Sequence, residues 1–126
     1  MSKEKKIYTV IFRYFDLNSR SIKSKKRPFL ILKEEYGKSP KDLTCLPISS
    51  INDKTRINDK YDVLIEKKNT FPKLNLNSDK CYVRTHKIQT INEKELIFNL
   101  CDNIEELYPE LYTEITNKVK DFIKDI

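Results

Sequence analysis

A small, strongly bent β-sheet or partly open barrel, closed by one C-terminal helix, is the fold this sequence predicts. Three observations point there. Short runs rich in β-branched and aromatic residues recur from Ile7 to Leu100, separated by polar turns. After Asp102 the apolar period lengthens to three or four residues. The chain has 126 residues, which fits a single domain, 1–126, with one modest core.

The elements follow in order. Ile7 to Phe15 is dense in β-branched and aromatic residues and reads as a strand. Asp16 to Lys26 is polar and reads as a loop. Phe29 to about Lys33 is a short apolar run, the pattern of a buried strand. Gly37 and Ser39-Pro40 mark a turn region from Glu34 to Asp42. Leu43 to Ile48 reads as a third strand, with Pro47 placing an edge or bulge near its end. Ser49 to Lys60 is a second polar loop, Tyr61 to Ile65 a fourth strand, and Lys67 to Asp79 a connection. Cys81 to Ile88 reads as a fifth strand, with Cys81, Val83 and Thr85 on one face and Tyr82, Arg84 and His86 on the other. A single helical turn over Asn92–Glu95 and a strand over Leu96–Leu100 follow. Ile104, Leu107, Leu111, Ile115, Val119, Phe122 and Ile126 then form a helical stripe. Asp102 or Asn103 suits the cap of a first short turn, and Pro109 the first position of the main helix.

Composition narrows the function. At 38% hydrophobic and 35% charged, the chain is too apolar for disorder and too charged for a membrane protein. No apolar run approaches the ~20 residues that span a bilayer. Ile7 to Phe12 is too short for a signal-peptide core, and Arg13 interrupts it, so a cytoplasmic location is expected. Cys45, Cys81 and Cys101 lack C-x-x-C spacing and share the sequence with one histidine, a poor zinc set; buried thiols are expected, and no metal or cofactor. The only glycine, Gly37, excludes a Gly-rich phosphate loop. A net charge of +6 and a pI of about 9.1 favour an anionic partner, most simply nucleic acid. The excess of Lys, Asn and Ile fits an AT-rich genome equally well.

Chemistry concentrates at three places. Lys25, Lys26 and Arg27 run straight into the apolar strand. Pro28 lacks an N–H and suits the first residue of that strand, holding Arg27 extended. A rigid guanidinium beside Lys23, Lys25 and Lys26 on a flexible loop suits a phosphate; the plainer reading is a solvated loop before a core strand. Ser49 and Ser50, where the third strand enters its loop, offer hydroxyls to a phosphate or to a turn. Arg84, His86 and Lys87 add two cations and one group that titrates near neutrality, or else a surface ion pair and a structural histidine. Brought to one groove, these groups suit RNA cleavage in which the 2′-hydroxyl attacks its own phosphorus. Arg27 would stabilise the phosphorane, Ser49 orient a phosphate oxygen and His86 move the proton. Tyr8, Phe12, Tyr14 and Phe15 suit a core, or a platform for single-stranded bases.

The ordered set resembles the PemK/MazF family of bacterial toxins. The matching pieces are the strand Ile7–Phe12, Arg27-Pro28 before Phe29-Leu30-Ile31-Leu32, and Cys45-Leu46-Pro47-Ile48-Ser49-Ser50. Tyr61-Asp62-Val63-Leu64-Ile65 follows, and then Tyr82 to Ile91, which is similar to the family's acidic-Gln-Ile-Arg-Thr-Ile segment. The resemblance implies an SH3-like barrel with a C-terminal helix, usually a homodimer. It implies a metal-independent endoribonuclease acting on single-stranded RNA such as mRNA, leaving 2′,3′-cyclic phosphate and 5′-hydroxyl ends. It also implies a cognate antitoxin, a protein or alternatively an RNA, and no membrane partner. The family's catalytic arginine carries over to Arg27 and its hydroxyl residue to Ser49. Lys23, Lys25, Lys26, Ser50, Arg84 and Lys87 are the expected RNA contacts. The loop before Arg27 lacks the family's usual glycines, and His86 stands where the family has an acid. A gyrase-binding toxin of the same fold, like the CcdB type, and a non-catalytic RNA-binding barrel are the alternatives. Exposed apolar residues at Phe122, Ile123 and Ile126 would favour the gyrase binder.

Overall fold

The computed structural model describes residues 2–126, apart from the side chains of residues 98–101. The chain runs β1 (Lys6–Asp16), β2 (Ser21–Glu34), β3 (Asp42–Ser49), β4 (Asp62–Glu66), β5 (Lys80–Arg84), β6 (Gln89–Asn92) and β7 (Leu96–Asn103). Two helices follow, α1 (Ile104–Leu107) and α2 (Pro109–Lys124). The strands form one open antiparallel sheet in the order β4-β5-β3-β2-β1-β7. β6 is paired to β3 beside that path. The register shifts between Ile7 and Thr9 in β1 and between Ile31 and Lys33 in β2. Such irregularities bend a strand and raise its twist, which curls this sheet. The expected mainly β, strongly bent sheet with a C-terminal helix is what forms.

β3 carries the curl. Its Asp42–Cys45 half pairs with β6, and Ile48 and Ser49 pair with β5. Pro47 lies between those two ladders, where a missing N–H loses no sheet hydrogen bond on that edge. Alternation sends each face of the sheet into its own core. Ile7, Leu30, Leu46 and Ile48 pack with Val63, Ile65 and Val83 and with Leu111, Ile115 and Val119 of α2. The opposite face packs Tyr8, Val10, Phe29, Ile31 and Cys45 with Ile91 and Leu96. Burial raises the Cys45 thiol to about 12 and Cys81 to about 11, so both remain protonated, inert core groups. The expectation for the Cys101 side chain falls outside the described residues.

The C-terminus follows the period read from the sequence. The Asn103 side chain accepts from the Glu106 N–H at 3.1 Å, and Pro109 opens α2. Leu111, Ile115 and Val119 are buried, while Ile123 and Ile126 are exposed. Phe122 packs edge-on against Tyr61, with ring centroids 5.3 Å apart.

Two expectations need correction. Asp16–Lys26 is not a loop: β2 begins at Ser21, and Lys23, Lys25 and Lys26 lie opposite Tyr14, Phe12 and Ile11 in a long hairpin with β1. Solvent flanks this outer part, so polar residues fit a strand there as well as apolar ones, and composition could not reveal it. Asp16 organises the turn, accepting from Asn18 N–H and the Ser19 hydroxyl, with Lys23 Nζ 2.8 Å away. Pro28 is consequently inside β2 rather than first, at the last position before pairing with β3 begins at Phe29. The second correction is that Cys81–Ile88 is not one strand. β5 ends at Arg84, and Thr85-His86 form a turn closed by Lys87 N–H to Arg84 C=O at 3.1 Å. The buried Thr85 hydroxyl donates to Tyr61 C=O. That bond takes the chain out of the ladder.

A short 3-10 turn, Glu93–Glu95, pins β6 to the loop before β3. Glu93 Oε1 accepts from Lys41 N–H at 2.7 Å, and Lys3 Nζ lies 3.1 Å from its Oε2. Hydrogen bonds from the Ser39 hydroxyl, the Lys41 amide and Lys3 hold the carboxyl down to about 2, from an ordinary 4.5. A depressed folded value means the contribution is complete above pH ~4.5 and fades as pH falls towards 2. The urea midpoint is expected to drop across that window, and less so in Glu93→Gln. Identical profiles for the two proteins would refute the assignment.

Candidate nucleic-acid interface

The pairing of β2 with β3 sets the site. Phe29 lies opposite Pro47, and continuing that antiparallel register by two residues brings Arg27 opposite Ser49. Arg27 also pairs across β1 with Val10, and Lys25 with Phe12. Alternation therefore puts Phe12, Lys25, Arg27, Phe29, Pro47 and Ser49 on one face of three adjacent strands. Phe12 and Phe29 touch with ring centroids 5.3 Å apart. Pro28 fixes the backbone beside Arg27.

Two cavities flank this strip. One, of about 520 Å³, is lined by Phe12, Tyr14 and Phe29 together with Lys25, Arg84 and Lys87. The other, of about 610 Å³, lies towards Ser50 and the Asn75–Ser78 segment and takes in Lys26. Lys25, Arg27 and Ser49 line both. Among the described residues, no carboxylate and no imidazole lines either one. Lys25, Lys26 and Arg27 have no ion-pair partner among the described residues. The result is an open groove of unneutralised positive charge with aromatic rings along one side. That arrangement takes a phosphodiester by charge and its bases by stacking.

The other sequence-named residues divide. Ser50 lines the larger cavity, and its hydroxyl is bonded to the Ser78 hydroxyl. Lys87 is exposed at the rim of the smaller one. Lys23 lines neither cavity and pairs with Asp16 in the hairpin. Arg84 reaches the smaller cavity while anchored from behind. Its Nε donates to Asp62 Oδ1 at 2.9 Å, and its Nη2 to Arg56 C=O at 3.1 Å. Asp62, with a fully buried side chain, also accepts from Asn58 N–H at 2.8 Å. The sequence reading passed over Asp62; only the fold reveals that it faces Arg84, its direct partner across β4 and β5.

His86 does not join the groove. It lies in the turn after β5, between Tyr61 and Phe122, with ring centroids 5.8 and 6.3 Å away. Its Nδ1 is buried without a hydrogen-bond partner among the described residues, 3.7 Å from Asp62 Oδ1. Burial pushes its pKa below the usual histidine value; Arg84 and Lys87 act the same way, against the pull of Asp62. The break in the strand at Thr85 is what separates it from Arg27 and Ser49.

Among the described residues, no group of three or more His, Cys, Asp or Glu side chains could hold a metal ion. No helix among them is long and apolar enough to cross a membrane. Residues 3–123 match the family model described as PemK-like, MazF-like toxin of type II toxin-antitoxin system. No curated protein gives a significant match.

Proposed function

Because the chain belongs to the PemK-like, MazF-like toxins of type II toxin-antitoxin systems, we propose that it is an endoribonuclease cutting single-stranded RNA in the groove over Arg27 and Ser49. The observation that carries this reading is the Arg27 guanidinium, without an ion-pair partner among the described residues, next to Ser49 and shared by both cavities. A phosphodiester seated there is forked by Arg27 on two oxygens, with the Ser49 hydroxyl and Lys25 as further donors. The substrate's 2′-oxygen forms a bond to phosphorus, the bond to the 5′-oxygen breaks, and the negative charge peaks between these events. A guanidinium placed for that charge lowers the barrier. The products are a 2′,3′-cyclic phosphate and a 5′-hydroxyl. Incubating the protein with a long RNA in EDTA and analysing the new ends tests the reading. Discrete cuts with cyclic phosphates support it. Intact RNA beside well-folded protein overturns it and makes a gyrase pull-down the next step.

This groove changes the expected proton chemistry. With neither carboxylate nor imidazole among the described residues of its lining, the 2′-hydroxyl proton passes to solvent water and the leaving 5′-oxygen takes its proton from solvent water. Cleavage is then expected to rise steadily from pH 6 to 8, by up to ~tenfold per unit. His86→Gln leaves the shape of that profile unchanged. A bell with a limb near pH 6.5 that vanishes in His86→Gln would return His86 to acid–base work. The antitoxin, in this reading, is a protein whose acidic segment covers the cationic groove, and the active particle is a homodimer.

A further inference from the structure

A phosphodiester at Arg27 and Ser49 sends one nucleoside to each side, and the two sides differ in kind. The smaller cavity offers rings and cations. The larger one has an apolar floor, formed by Ile48, Leu76 and Cys81, under a rim of Ser50, Asn75, Asn77 and Ser78. The rim is built rigidly. Leu74 and Leu76 are buried on either side of Asn75, so alternate residues of this segment anchor it in the core. The Asn75 N–H donates to Asp102 Oδ2 at 2.7 Å, and its Nδ2 to Asp102 Oδ1 at 3.3 Å. The carboxylate can only accept, so this contact fixes which end of the amide is nitrogen. It leaves Asn75 Oδ1 as an acceptor with no donor among the described residues. The Asn77 carboxamide makes no hydrogen bond among them either.

An apolar floor edged by the anchored Asn75 amide and the unbonded Asn77 amide fits a nucleobase: its face meets the floor and its edge meets the rim. An oriented acceptor selects for a donor on that edge. Resting on the nuclease reading above, we propose that the Asn75–Ser78 rim reads the base beside the scissile phosphate. It favours adenine and cytosine, which carry an amino donor at C6 or C4, over guanine and uracil, which carry a carbonyl there and set it against the Asn75 oxygen.

The test has two arms. In the first, a randomised RNA pool is cut by wild type and by Asn75→Ala, and the cut sites are sequenced. Guanine and uracil are expected to be depleted about tenfold at one position flanking the cut, and about twofold or less in Asn75→Ala. In the second arm, binding is measured to 2′-O-methyl hexanucleotides that differ only in the base on either side of the central phosphate. These cannot be cut, because the attacking hydroxyl is blocked. Cutting with an unchanged base preference in Asn75→Ala overturns the inference and keeps the nuclease. Base discrimination in binding that Asn75→Ala abolishes, with no cutting of ordinary RNA, overturns the nuclease and keeps the reader. Neither cutting nor discrimination overturns both.

Discussion

Arg27→Ala is expected to lower RNA cleavage by about 10²- to 10³-fold, the usual cost of deleting one group that meets transition-state charge. The fold should survive. Arg27 is only half-buried and has no ion pair to break, and Pro28 still fixes the backbone beside it. No neighbour can take over. Arg84 is held by Asp62 and the Arg56 carbonyl, and Lys25 presents a single point charge where a planar fork is needed. Arg27→Lys therefore recovers only part of the loss. Single-turnover cleavage in EDTA, alongside urea unfolding, measures both sides of this statement. Loss of cleavage within threefold of wild type, with an unchanged midpoint, would remove Arg27 from the chemistry.

Asp62→Ala is expected to be the most destabilising single change near the groove. The Asp62 side chain is fully buried, and its loss strands Arg84, whose side chain is only 13% exposed, with the Arg56 carbonyl as its remaining partner. Removing one partner of a buried ion pair costs about 3 kcal/mol. For a domain of this size that is ~10 °C in melting temperature. Asp62→Asn keeps an acceptor for the Asn58 N–H and loses less. Asp62→Ala also frees the Arg84 side chain beside the smaller cavity, so the KM for RNA rises more than kcat falls, because Arg84 binds away from the reacting atoms. A melting temperature within 3 °C of wild type would show that the pair contributes little.

The buried strand runs and the Pro109 helix start are legible in the sequence. Apolar runs and a prolyl ring act locally, and local signals survive in a linear reading. The outer part of β2 was not legible. Nothing there is buried enough to demand an alternating pattern, and a solvated strand has the composition of a loop. His86 was misplaced for a related reason. The two-residue period extrapolates a strand, but the bond from the Thr85 hydroxyl to Tyr61 C=O that ends it is a contact 24 residues away. The roles of Asp62 and Asn75 are likewise non-local: each depends on a partner supplied by the fold, Arg84 and Asp102.

The two halves of β2 have one consequence for how the protein meets its ligand. Phe29 and Leu30 have a neighbour strand on both sides and Ile31–Glu34 pair with β3, whereas β1 alone holds Ser21–Pro28. Backbone amides of the outer half should thus exchange with solvent deuterium faster than those of the buried, doubly paired Phe29 and Leu30, by local opening rather than global unfolding. Lys25 and Arg27 lie in that fast-exchanging half. An RNA seated on them has to quench its fluctuations, so part of the binding free energy is spent as lost chain entropy, and the protection it confers should be greatest in the arm.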